Sequence, residues 1–475
     1  MHLIRSLGVT LLCAALAACG RSASTDASGD EAPPSNVPAA KVSGPIGSAG
    51  LRGHPLWDSF YSLADLGYDE QEYFVSGTAQ SDADAARSAP YTTRIIVRRP
   101  LDPAHFNGTV ILDWVNVTAQ FENAVDTLEA HQLFVRDGYA FVHVSAQKAG
   151  VCCLPALTPK LWDPVRYAAL SHPGDEYAFD MFSQIAQAMK HPPDVDPMAG
   201  LPVRKLIAVG QSQSGTRLRD YLIDVQPGAR VIDAFLIHSD GDGDKQFPAD
   251  PAVPTIQLFS EREASPDAPN VTRNYRLWEV AGAAHQDFWV GYHQVEGQAL
   301  RVVANTPQRP GSADADLHVA AGNYGEQFDP GQLVCIVQGT QFPLRYVVMA
   351  AIHDLDRWIK TGVPPPVAPR YQFDGDRLAR DAEGNALGGI RLPPIAVPVA
   401  SYRSDLCDLG GITVPFGNAR LAQLYPTHAD YYCKMKAATQ RSLAEGFLLP
   451  EDADELMARA AAAKNRWRDA GTPDC

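Results

Sequence analysis

Six short, almost unbroken apolar runs constrain the fold of this chain more than any other feature. They lie at Thr109–Trp114, Ala140–Ser145, Lys205–Val209, Asp233–His238, Pro254–Phe259 and Tyr275–Val280. Because apolar and polar residues do not alternate in them, they are typical of strands covered on both faces, as in a parallel sheet. Helical patterns separate several runs, at Ala124–Asp137, Gly215–Val225 and Tyr346–Thr361. Such strand–helix alternation favours right-handed crossovers within one α/β sheet.

Segments outside this alternation predict additions to the sheet. Tyr73–Ala79 and Tyr91–Arg98 alternate in polarity and predict an antiparallel pair ahead of the parallel strands. Two irregular stretches, about 148–201 and 307–341, are predicted to be lid-like insertions, the first with a helix near residues 178–189. From about residue 366 to 475 the sequence predicts a proline-containing extension that ends in a helix over roughly 452–469.

The N-terminus resembles a bacterial lipoprotein signal. A positive residue, Arg5, precedes an apolar stretch that ends in Leu16-Ala17-Ala18-Cys19. This stretch is short for a membrane-spanning helix and ends in small residues, which is typical of a cleaved export signal. The sequence therefore predicts a signal peptide at 1–18, a lipidated Cys19 at the start of a flexible tether over 19–45, and one folded domain over 46–475. We expect an exported protein that is anchored to the bacterial cell envelope, on the periplasmic or outer face, by its lipid alone.

Composition narrows the partners and cofactors. The net charge of −15 argues against nucleic acid or an anionic membrane surface as the main partner, since both require basic patches. No Cys-x-x-Cys pair has the spacing of a zinc site, so we expect no metal and no organic cofactor. Six cysteines follow the anchor, and in an oxidising compartment they favour disulfides, although 15 connectivities are open. These cysteines are Cys152, Cys153, Cys335, Cys407, Cys433 and Cys475.

The segment Lys205–Leu218 carries the clearest chemical signal. An apolar strand runs into Gly210-Gln-Ser-Gln-Ser-Gly215, and a helical pattern follows at once. A serine on such a sharp strand-to-helix turn has its hydroxyl exposed, and its neighbours two residues away must be small. Ser212 fits better than Ser214, because Gly210 and Ser214 flank it. The pattern predicts Ser212 as a nucleophile in an α/β-hydrolase fold, with a mostly parallel central sheet and helices on both faces.

A serine nucleophile needs a base and an acid that orients the base, and this fold presents them in the order serine, acid, histidine. His285 is predicted to be the base because it lies in a small-residue loop just after the last apolar run. The acid is expected after the run that ends at Phe259, where Glu263 has the usual spacing and Glu261 is the alternative. Asp240, after the preceding run, is a third candidate.

Two further features of the sequence concern anions and cations. The backbone N–H groups of Gln213 and Val117 are predicted to form an oxyanion hole, the second belonging to the loop after Trp114. Asp240-Gly-Asp-Gly-Asp244 is similar to the start of a calcium loop. However, Lys245 and Pro251 stand where that loop needs glycine and glutamate, so we interpret it as a solvated turn.

Several longer motifs, in order, resemble a family of bacterial secreted α/β-hydrolase-domain proteins from about Gly77 to the C-terminus. They are Gly108–Val117, Val144–Gln147, Trp162–Tyr167, His172–Asp175, Gly210–Ser214, Trp278–Gly282 with His285, and Gly388–Leu392. The resemblance implies hydrolase chemistry at Ser212 and His285. The family often has aspartate at the position of Glu263 and glutamate at that of Glu261, which leaves both residues open. His172–Asp175 is expected either to line the pocket or to shape a turn of the lid.

The expected function is that of a carboxylic-ester hydrolase that acts on a small-molecule or polymer ester through an acyl-enzyme. Esters are preferred over amides because this fold most often carries esterases, which is an analogy. A peptidase or acyltransferase with the same triad is the alternative within enzymes. A lipoprotein that binds a sugar or lipid without catalysis is the alternative outside them.

Overall fold

Nine strands form the central sheet of the computed structural model, which describes residues 35–152, 157–241, 247–248, 250–268, 271–311 and 339–475. The strands are β1 Lys41–Ser43, β2 Tyr68–Gln80, β3 Ser88–Pro100, β4 Thr109–Trp114, β5 Ala140–Val144, β6 Lys205–Gln211, β7 Ala234–His238, β8 Thr255–Phe259 and β9 Tyr275–Glu279. Their spatial order is β1-β2-β3-β5-β4-β6-β7-β8-β9. The first three pairs in this order, β1 with β2, β2 with β3 and β3 with β5, are antiparallel. The remaining five pairs, from β5 with β4 to β8 with β9, are parallel. The predicted antiparallel pair and all six apolar runs are therefore strands of one mostly parallel sheet.

Helices cover both faces of this sheet. In chain order they are α1 Val125–Arg136, α2 Lys148–Val151, α3 Pro159–Trp162, α4 Ala178–Lys190, α5 Gln213–Asp224, α6 Gln226–Ala229, α7 Phe288–Tyr292, α8 Leu300–Ala304, α9 Leu344–Thr361, α10 Pro393–Ala396, α11 Asn418–Leu424, α12 His428–Glu445 and α13 Pro450–Ala462. Short 3-10 helices occupy Ala64–Leu66, Asp175–Tyr177, Glu261–Glu263 and Ala463–Arg466, and a π-helical segment, His293–Ala299, joins α7 to α8. None of the described helices is long and apolar enough to cross a membrane.

Alternate residues of β6 face two different cores, as the period of two in a strand requires. Ile207 and Val209 belong to a core that also contains α1, α9 and much of the C-terminal extension. Leu206 and Ala208 belong to a second core, with α4 and α5. The strand is thus buried on both faces, which is the physical reason why its sequence shows no alternation.

The folded region begins earlier than predicted, and the C-terminal extension contains more secondary structure than predicted. Lys41–Ser43 pairs with β2, and Ala40 and Val42 are buried, so the tether predicted over 19–45 reaches too far into the folded region. The extension has two small hairpins, β10 Phe373–Asp374 with β11 Arg377–Leu378 and β12 Ala400–Arg403 with β13 Ile412–Pro415. It also has the 18-residue helix α12, which sequence analysis missed. Most of the insertion predicted at 307–341 lies outside the described residues.

Disulfides fasten the C-terminal region and the first insertion. Cys433 in α12 is bonded to Cys475, the last residue of the chain. Cys152 and Cys407 are disulfide-bonded as well. Cys153 and Cys335 lie outside the described residues.

A buried ionic network joins the antiparallel strands to the loop that follows β4. Arg94 donates to Glu72 at 2.7 Å and to Glu122 at 2.6 Å, and all three side chains are fully buried. Arg166 from the first insertion also donates to Glu72, at 2.6 Å. Since a buried charge is tolerated only with close partners, these contacts hold the insertion and the loop against the sheet.

We expect Arg94→Met to destabilise the protein by about 3–5 kcal/mol, because it leaves two buried carboxylates short of their cation. Urea unfolding followed by tryptophan fluorescence measures the change. The matched control is Arg87→Met, which removes an exposed pair with Glu176 at 3.5 Å and should cost less than about 1 kcal/mol. Equal losses in the two variants would contradict this interpretation of the network.

Candidate active site

Ser212 lies on a strained turn between β6 and α5. Its backbone has φ 60° and ψ −123°, a conformation that non-glycine residues rarely adopt. The turn is held on the strand side by a hydrogen bond of 2.9 Å from the Ser212 N–H to the carbonyl of His238, at the end of β7. On the helix side, the Ser212 carbonyl accepts from the N–H of Thr216. The serine hydroxyl is therefore presented at the carboxyl end of the parallel strands.

Two glycines allow the strand and helix to approach this closely. A Cβ atom on Gly210 would lie 2.9 Å from a methyl group of Leu218 and 3.1 Å from the backbone of Ser214. A Cβ atom on Gly215 would lie 2.9 Å from the carbonyl oxygens of both Gly210 and His238. The requirement for small residues around Ser212 is thus a consequence of backbone contact.

Ser214, the other serine considered, has its hydroxyl engaged within the turn. Its Oγ donates to the carbonyl of Gln211 at 2.9 Å and lies 3.1 Å from the N–H of the same residue. The side chain is buried. Ser214 therefore stabilises the turn, and the hydroxyl that faces the histidine is that of Ser212.

His285 lies in the loop after β9, and its ring contacts both of its predicted partners. Nε2 lies 2.8 Å from the Oγ atom of Ser212, and Nδ1 lies 2.6 Å from Oε1 of Glu263. An ionised carboxylate only accepts hydrogen bonds, so Nδ1 carries the proton and Nε2 is free to accept from the serine hydroxyl. The carbonyl of His285 accepts from the side chain of Gln211 at 2.8 Å, which ties the loop to the end of β6.

Glu263 is held as a carboxylate by the residues around it. Burial by itself raises the pKa of Glu263, but hydrogen bonds from His285 and Ser260 outweigh burial and bring the pKa below its usual value. Oε2 accepts from both the N–H and the hydroxyl of Ser260, at 3.0 and 2.6 Å. These contacts form a capping box over the short 3-10 turn that follows β8, and they aim Oε1 at the histidine.

Glu261, the alternative acid, has a different set of partners. Its Oε1 accepts from the N–H of Gly282 at 2.6 Å, and its Oε2 accepts from Arg380 at 2.9 Å and Ser404 at 2.6 Å. This carboxylate joins the loop of His285 to the C-terminal extension. Asp240, the third candidate, is bound by Arg219 and Gln257, both at 2.7 Å, and burial raises its pKa to about 6. Of the three acids considered, Glu263 is the one that contacts His285.

The two backbone groups predicted to bind an oxyanion both belong to or contact Gln213. The N–H of Gln213 is the first of α5, so it has no acceptor within the helix. The N–H of Val117 points to Oε1 of Gln213 at 3.5 Å, which is long for a hydrogen bond. The preceding residue, Asn116, is fixed by a bond of 3.0 Å from its amide to the carbonyl of Gln211.

Two expectations fall partly or wholly outside the described residues. In the calcium-like sequence, Asp240 is bound to Arg219, but residues 242–246 lie outside the described residues. The predicted lipidation site, Cys19, also lies outside them. Within the described residues, no group of three or more His, Cys, Asp or Glu side chains has the geometry to hold a metal ion.

Two buried amide side chains at the site, those of Gln147 and Gln211, were not predicted from the sequence. Gln211 holds the carbonyl of His285, and Gln147 accepts from the side chain of Gln213 at 2.9 Å. Both residues lie in motifs that carry the family resemblance, Val144–Gln147 and Gly210–Ser214, so these motifs were the sequence signal that could have indicated them. A glutamine gives no indication in sequence of which backbone it will bind.

The arrangement defines a class of protein. A serine on a strand-to-helix turn, hydrogen-bonded to a histidine that is hydrogen-bonded to a carboxylate at a neighbouring strand end, is the constellation of an α/β hydrolase. The chain belongs to the alpha/beta hydrolase domain family, whose model matches residues 42–458. The predicted fold class is thereby confirmed. No curated protein matches the chain in sequence.

Solved structures similar to this chain include three esterases. A ferulic acid esterase from Streptomyces cinnamoneus is 13% identical with a TM-score of 0.36, and the match covers 63% of this chain and 92% of that one. A Pyrococcus furiosus esterase is 10% identical with a TM-score of 0.28, over 47% and 86% of the two chains. A glucuronoyl esterase from Teredinibacter turnerae is 13% identical with a TM-score of 0.22, over 44% and 48%. The family assignment rests on the match over residues 42–458 and not on these three structures.

The two glutamates of the 3-10 turn should respond differently to loss of charge. We expect Glu263→Gln to slow fluorophosphonate labelling of Ser212 by a factor of about 10³ or more, because an amide does not hold His285 in the required tautomer. Glu261→Gln is the matched control on the same turn, and it should slow labelling less than about tenfold because its carboxylate binds Gly282, Arg380 and Ser404 and not the ring of His285. Mass spectrometry of the labelled peptide gives the rates, and the reverse order of effects would make Glu261 the acid.

A second buried carboxyl lies on the strand next to β6. Asp113, on β4, accepts from the N–H and hydroxyl of Thr127 at 3.1 and 2.7 Å. Burial, and then the nearby Asp126 carboxylate, raise the pKa of Asp113 to about 8. Asp126 is in turn 2.8 Å from Nδ1 of His238, whose carbonyl holds the Ser212 turn.

This pKa predicts that the protein loses stability as the pH rises from mildly acidic to mildly alkaline. An acid whose pKa is higher in the folded state binds more protons there than in the unfolded chain, so its contribution falls as pH rises from about 4 to about 8. Asp113→Asn removes this titration. We therefore compare the free energy of unfolding of the variant with that of the wild type at two pH values. The difference, variant minus wild type, should be about 1 kcal/mol or more larger at pH 9 than at pH 5. A difference that is independent of pH in urea titrations would sink this prediction.

Proposed function

We propose that the protein is a serine hydrolase that cleaves carboxylic esters through an acyl-enzyme, with Ser212, His285 and Glu263 as its triad. The observation that carries the proposal is the continuous hydrogen-bonded chain from the Ser212 hydroxyl through the imidazole to Glu263, at 2.8 and 2.6 Å. In this chain the histidine can take a proton from serine on one side while the carboxylate stabilises the resulting cation on the other.

In the acylation half, the Ser212 oxygen attacks the ester carbonyl and forms a C–O bond while its proton passes to Nε2 of His285. The carbonyl π electrons move onto the oxygen, which is bound by the N–H groups of Gln213 and Val117. As the tetrahedral intermediate collapses, the bond to the leaving alkoxide breaks and His285 returns its proton to that oxygen. The alcohol departs and the acyl group remains on Ser212.

In the deacylation half, a water molecule takes the place of the alcohol. His285 accepts a proton from the water as it attacks the acyl carbon, and the same N–H groups hold the second oxyanion. Breaking the bond to Ser212 returns the proton to the serine oxygen and releases the acid. No metal or organic cofactor enters any step of this sequence.

The preference for esters over amides rests on the commonest chemistry of the fold, which is an analogy. A peptidase or acyltransferase would use the same triad with a different acceptor or leaving group. The other proposal that sequence supports, export and lipid anchoring at Cys19, concerns residues outside those described and stays a prediction.

The proposal is tested by Ser212→Ala, assayed with p-nitrophenyl esters of increasing acyl length. We expect turnover to fall by at least about 10³-fold because the nucleophile is lost. The free energy of unfolding should change by no more than about 1–2 kcal/mol, because only the hydrogen bond to Nε2 of His285 is removed. The acyl length with the highest kcat/KM then identifies the size of the acyl pocket.

Ser214→Ala is the matched control for this experiment. It removes a hydroxyl two residues away that bonds only within the turn, so Ser212 should still react with a fluorophosphonate. If the fluorophosphonate labels Ser214 and not Ser212 in the wild type, or if purified Ser212→Ala keeps its full turnover, Ser212 is excluded as the nucleophile.

A further inference from the structure

A chain of side-chain amides connects the predicted oxyanion site to the first insertion. Oδ2 of Asp175 accepts from Nε2 of Gln147 at 3.0 Å. Oε1 of Gln147 accepts from Nε2 of Gln213 at 2.9 Å and from the indole N–H of Trp114 at 3.1 Å. Oε1 of Gln213 then lies 3.5 Å from the N–H of Val117. We call these four side chains, from Asp175 to Gln213, the amide relay.

The hydrogen-bonding capacities of the end groups fix the direction of the amide relay. An ionised Asp175 only accepts and the Trp114 indole only donates, so Gln147 must present its NH₂ group to the first and its oxygen to the second. Gln213 must therefore present its NH₂ group to the oxygen of Gln147. This leaves the Gln213 oxygen, and not its nitrogen, facing Val117.

Asp175, the first residue of the amide relay, is itself held in place by further hydrogen bonds. Oδ1 of Asp175 accepts from the N–H of Lys148 at 2.8 Å. His172, three residues earlier, accepts from the N–H of Gly174 through Nδ1 and donates from Nε2 to the carbonyl of Ala146 at 3.0 Å. Burial lowers the pKa of His172, which favours the neutral ring that this pattern requires. His172–Asp175 therefore shapes the turn that holds residues 146–148.

Burial makes the orientation of the amide relay costly to reverse. Trp114 is fully buried and Gln147 is 4% exposed, so a flipped Gln147 amide would set its NH₂ group against the indole N–H with no water to compensate. The bond to Val117 is the weak end of the amide relay, because it is long. An acyl oxygen that approaches more closely can replace the Gln213 oxygen at this N–H without disturbing the rest.

We propose that Gln147 and Gln213 are positioning residues that keep the Val117 N–H directed at the oxygen of the bound ester. In the free enzyme the Gln213 oxygen holds this N–H where the acyl oxygen will later lie. Because the amide relay acts on a group that stabilises the tetrahedral intermediate, it affects kcat and not ester binding. This inference rests on the proposed function, since it assigns work to the same site.

The test is a double-mutant cycle with Gln147→Met and Gln213→Met, assayed with p-nitrophenyl acetate. We expect each single variant to lower kcat about tenfold with KM changed less than twofold, because Val117 is one of two oxyanion donors. The double variant should be no worse than either single variant, since both residues act through the same N–H. Multiplied losses of about a hundredfold would overturn the proposal.

Phenylboronic acid gives a second readout that a merely structural role would not move. Its boron forms a bond to the Ser212 oxygen as the serine proton passes to His285, and the tetrahedral adduct imitates the intermediate. Its affinity should fall by the same factor as kcat/KM in each variant. An unchanged affinity alongside a lower kcat would contradict a role in holding the oxyanion.

Gln184→Met is the matched control. Gln184 is also a buried glutamine, on α4, and its three side-chain hydrogen bonds go to Thr78, Tyr91 and Asp180, none of which belongs to the amide relay. It should lose stability with kcat kept within twofold of wild type. An equal loss of kcat in this control would show that the effect in Gln147→Met comes from stability alone.

Asp175→Leu covers the case in which Gln147→Met does not fold. It keeps about the size of the side chain but removes both of its acceptor oxygens, including the one that fixes the direction of Gln147, so kcat should fall at least threefold with KM unchanged. Wild-type activity in this variant would overturn the proposal. If wild-type protein neither reacts with a fluorophosphonate nor hydrolyses the ester, the proposed function fails and the amide relay with it. If wild type is active and Gln147→Met equally so, the amide relay alone fails.

Discussion

The close approach of β6 and α5 is the constraint on which the rest of the site depends. A Cβ atom on Gly210 or Gly215 would lie within about 3 Å of backbone atoms of the facing segment, and only Ser212 separates the end of the strand from the start of the helix. This sharp turn forces Ser212 into a conformation with positive φ, and its N–H is held by the carbonyl of His238. Strain of this kind persists only where the surroundings over-determine it, and here the sheet, the helix and the Ser214 hydroxyl all do so.

The parallel sheet explains why residues 73 positions apart meet at this turn. The carboxyl ends of β6, β8 and β9 lie at one edge, so the segments that follow them carry Ser212, Glu263 and His285 to the same place. The C-terminal extension then fixes the loop of His285 from outside. Glu261 binds Gly282 with one oxygen and binds Arg380 and Ser404 with the other, so the loop is attached to the extension by one buried carboxylate.

Sequence was sufficient for features that depend on local pattern. The six apolar runs predicted the strands because burial on both faces leaves its mark on every residue, and Gly210–Gly215 predicted the turn because close backbone approach excludes larger side chains. The choice between Glu261 and Glu263 could not be made in this way. Both residues lie on one short turn, and only the direction of each side chain, set by Ser260 for Glu263 and by Gly282 for Glu261, separates them.

Helix α12 and the buried amides were missed for related reasons. Helix α12 begins at a Thr427–Asp430 capping box and ends at Gly446, but only seven of its 18 residues are buried, so its apolar stripe is weak. Gln211 binds the backbone carbonyl of His285, and Gln147 binds the side chains of Asp175 and Gln213. These partners are distant in sequence, and no spacing rule relates a glutamine to them. The sequence shows the motifs that contain the two glutamines, but it does not show which residues they bind.

The two sides of the site are held by different parts of the chain, and this division has a chemical consequence. In the proposed mechanism, proton transfer uses His285 and Glu263, which are held by the turn after β8 and by the C-terminal extension. The same proposal has the oxyanion bound by the N–H groups of Val117 and Gln213, and hydrogen bonds through Gln147 and Asp175 connect these to the first insertion. Substitutions in the first insertion can therefore alter the stabilisation of the intermediate while His285 keeps its hydrogen bonds to Ser212 and Glu263. On this proposal the first insertion acts on the chemistry itself, through the amide relay.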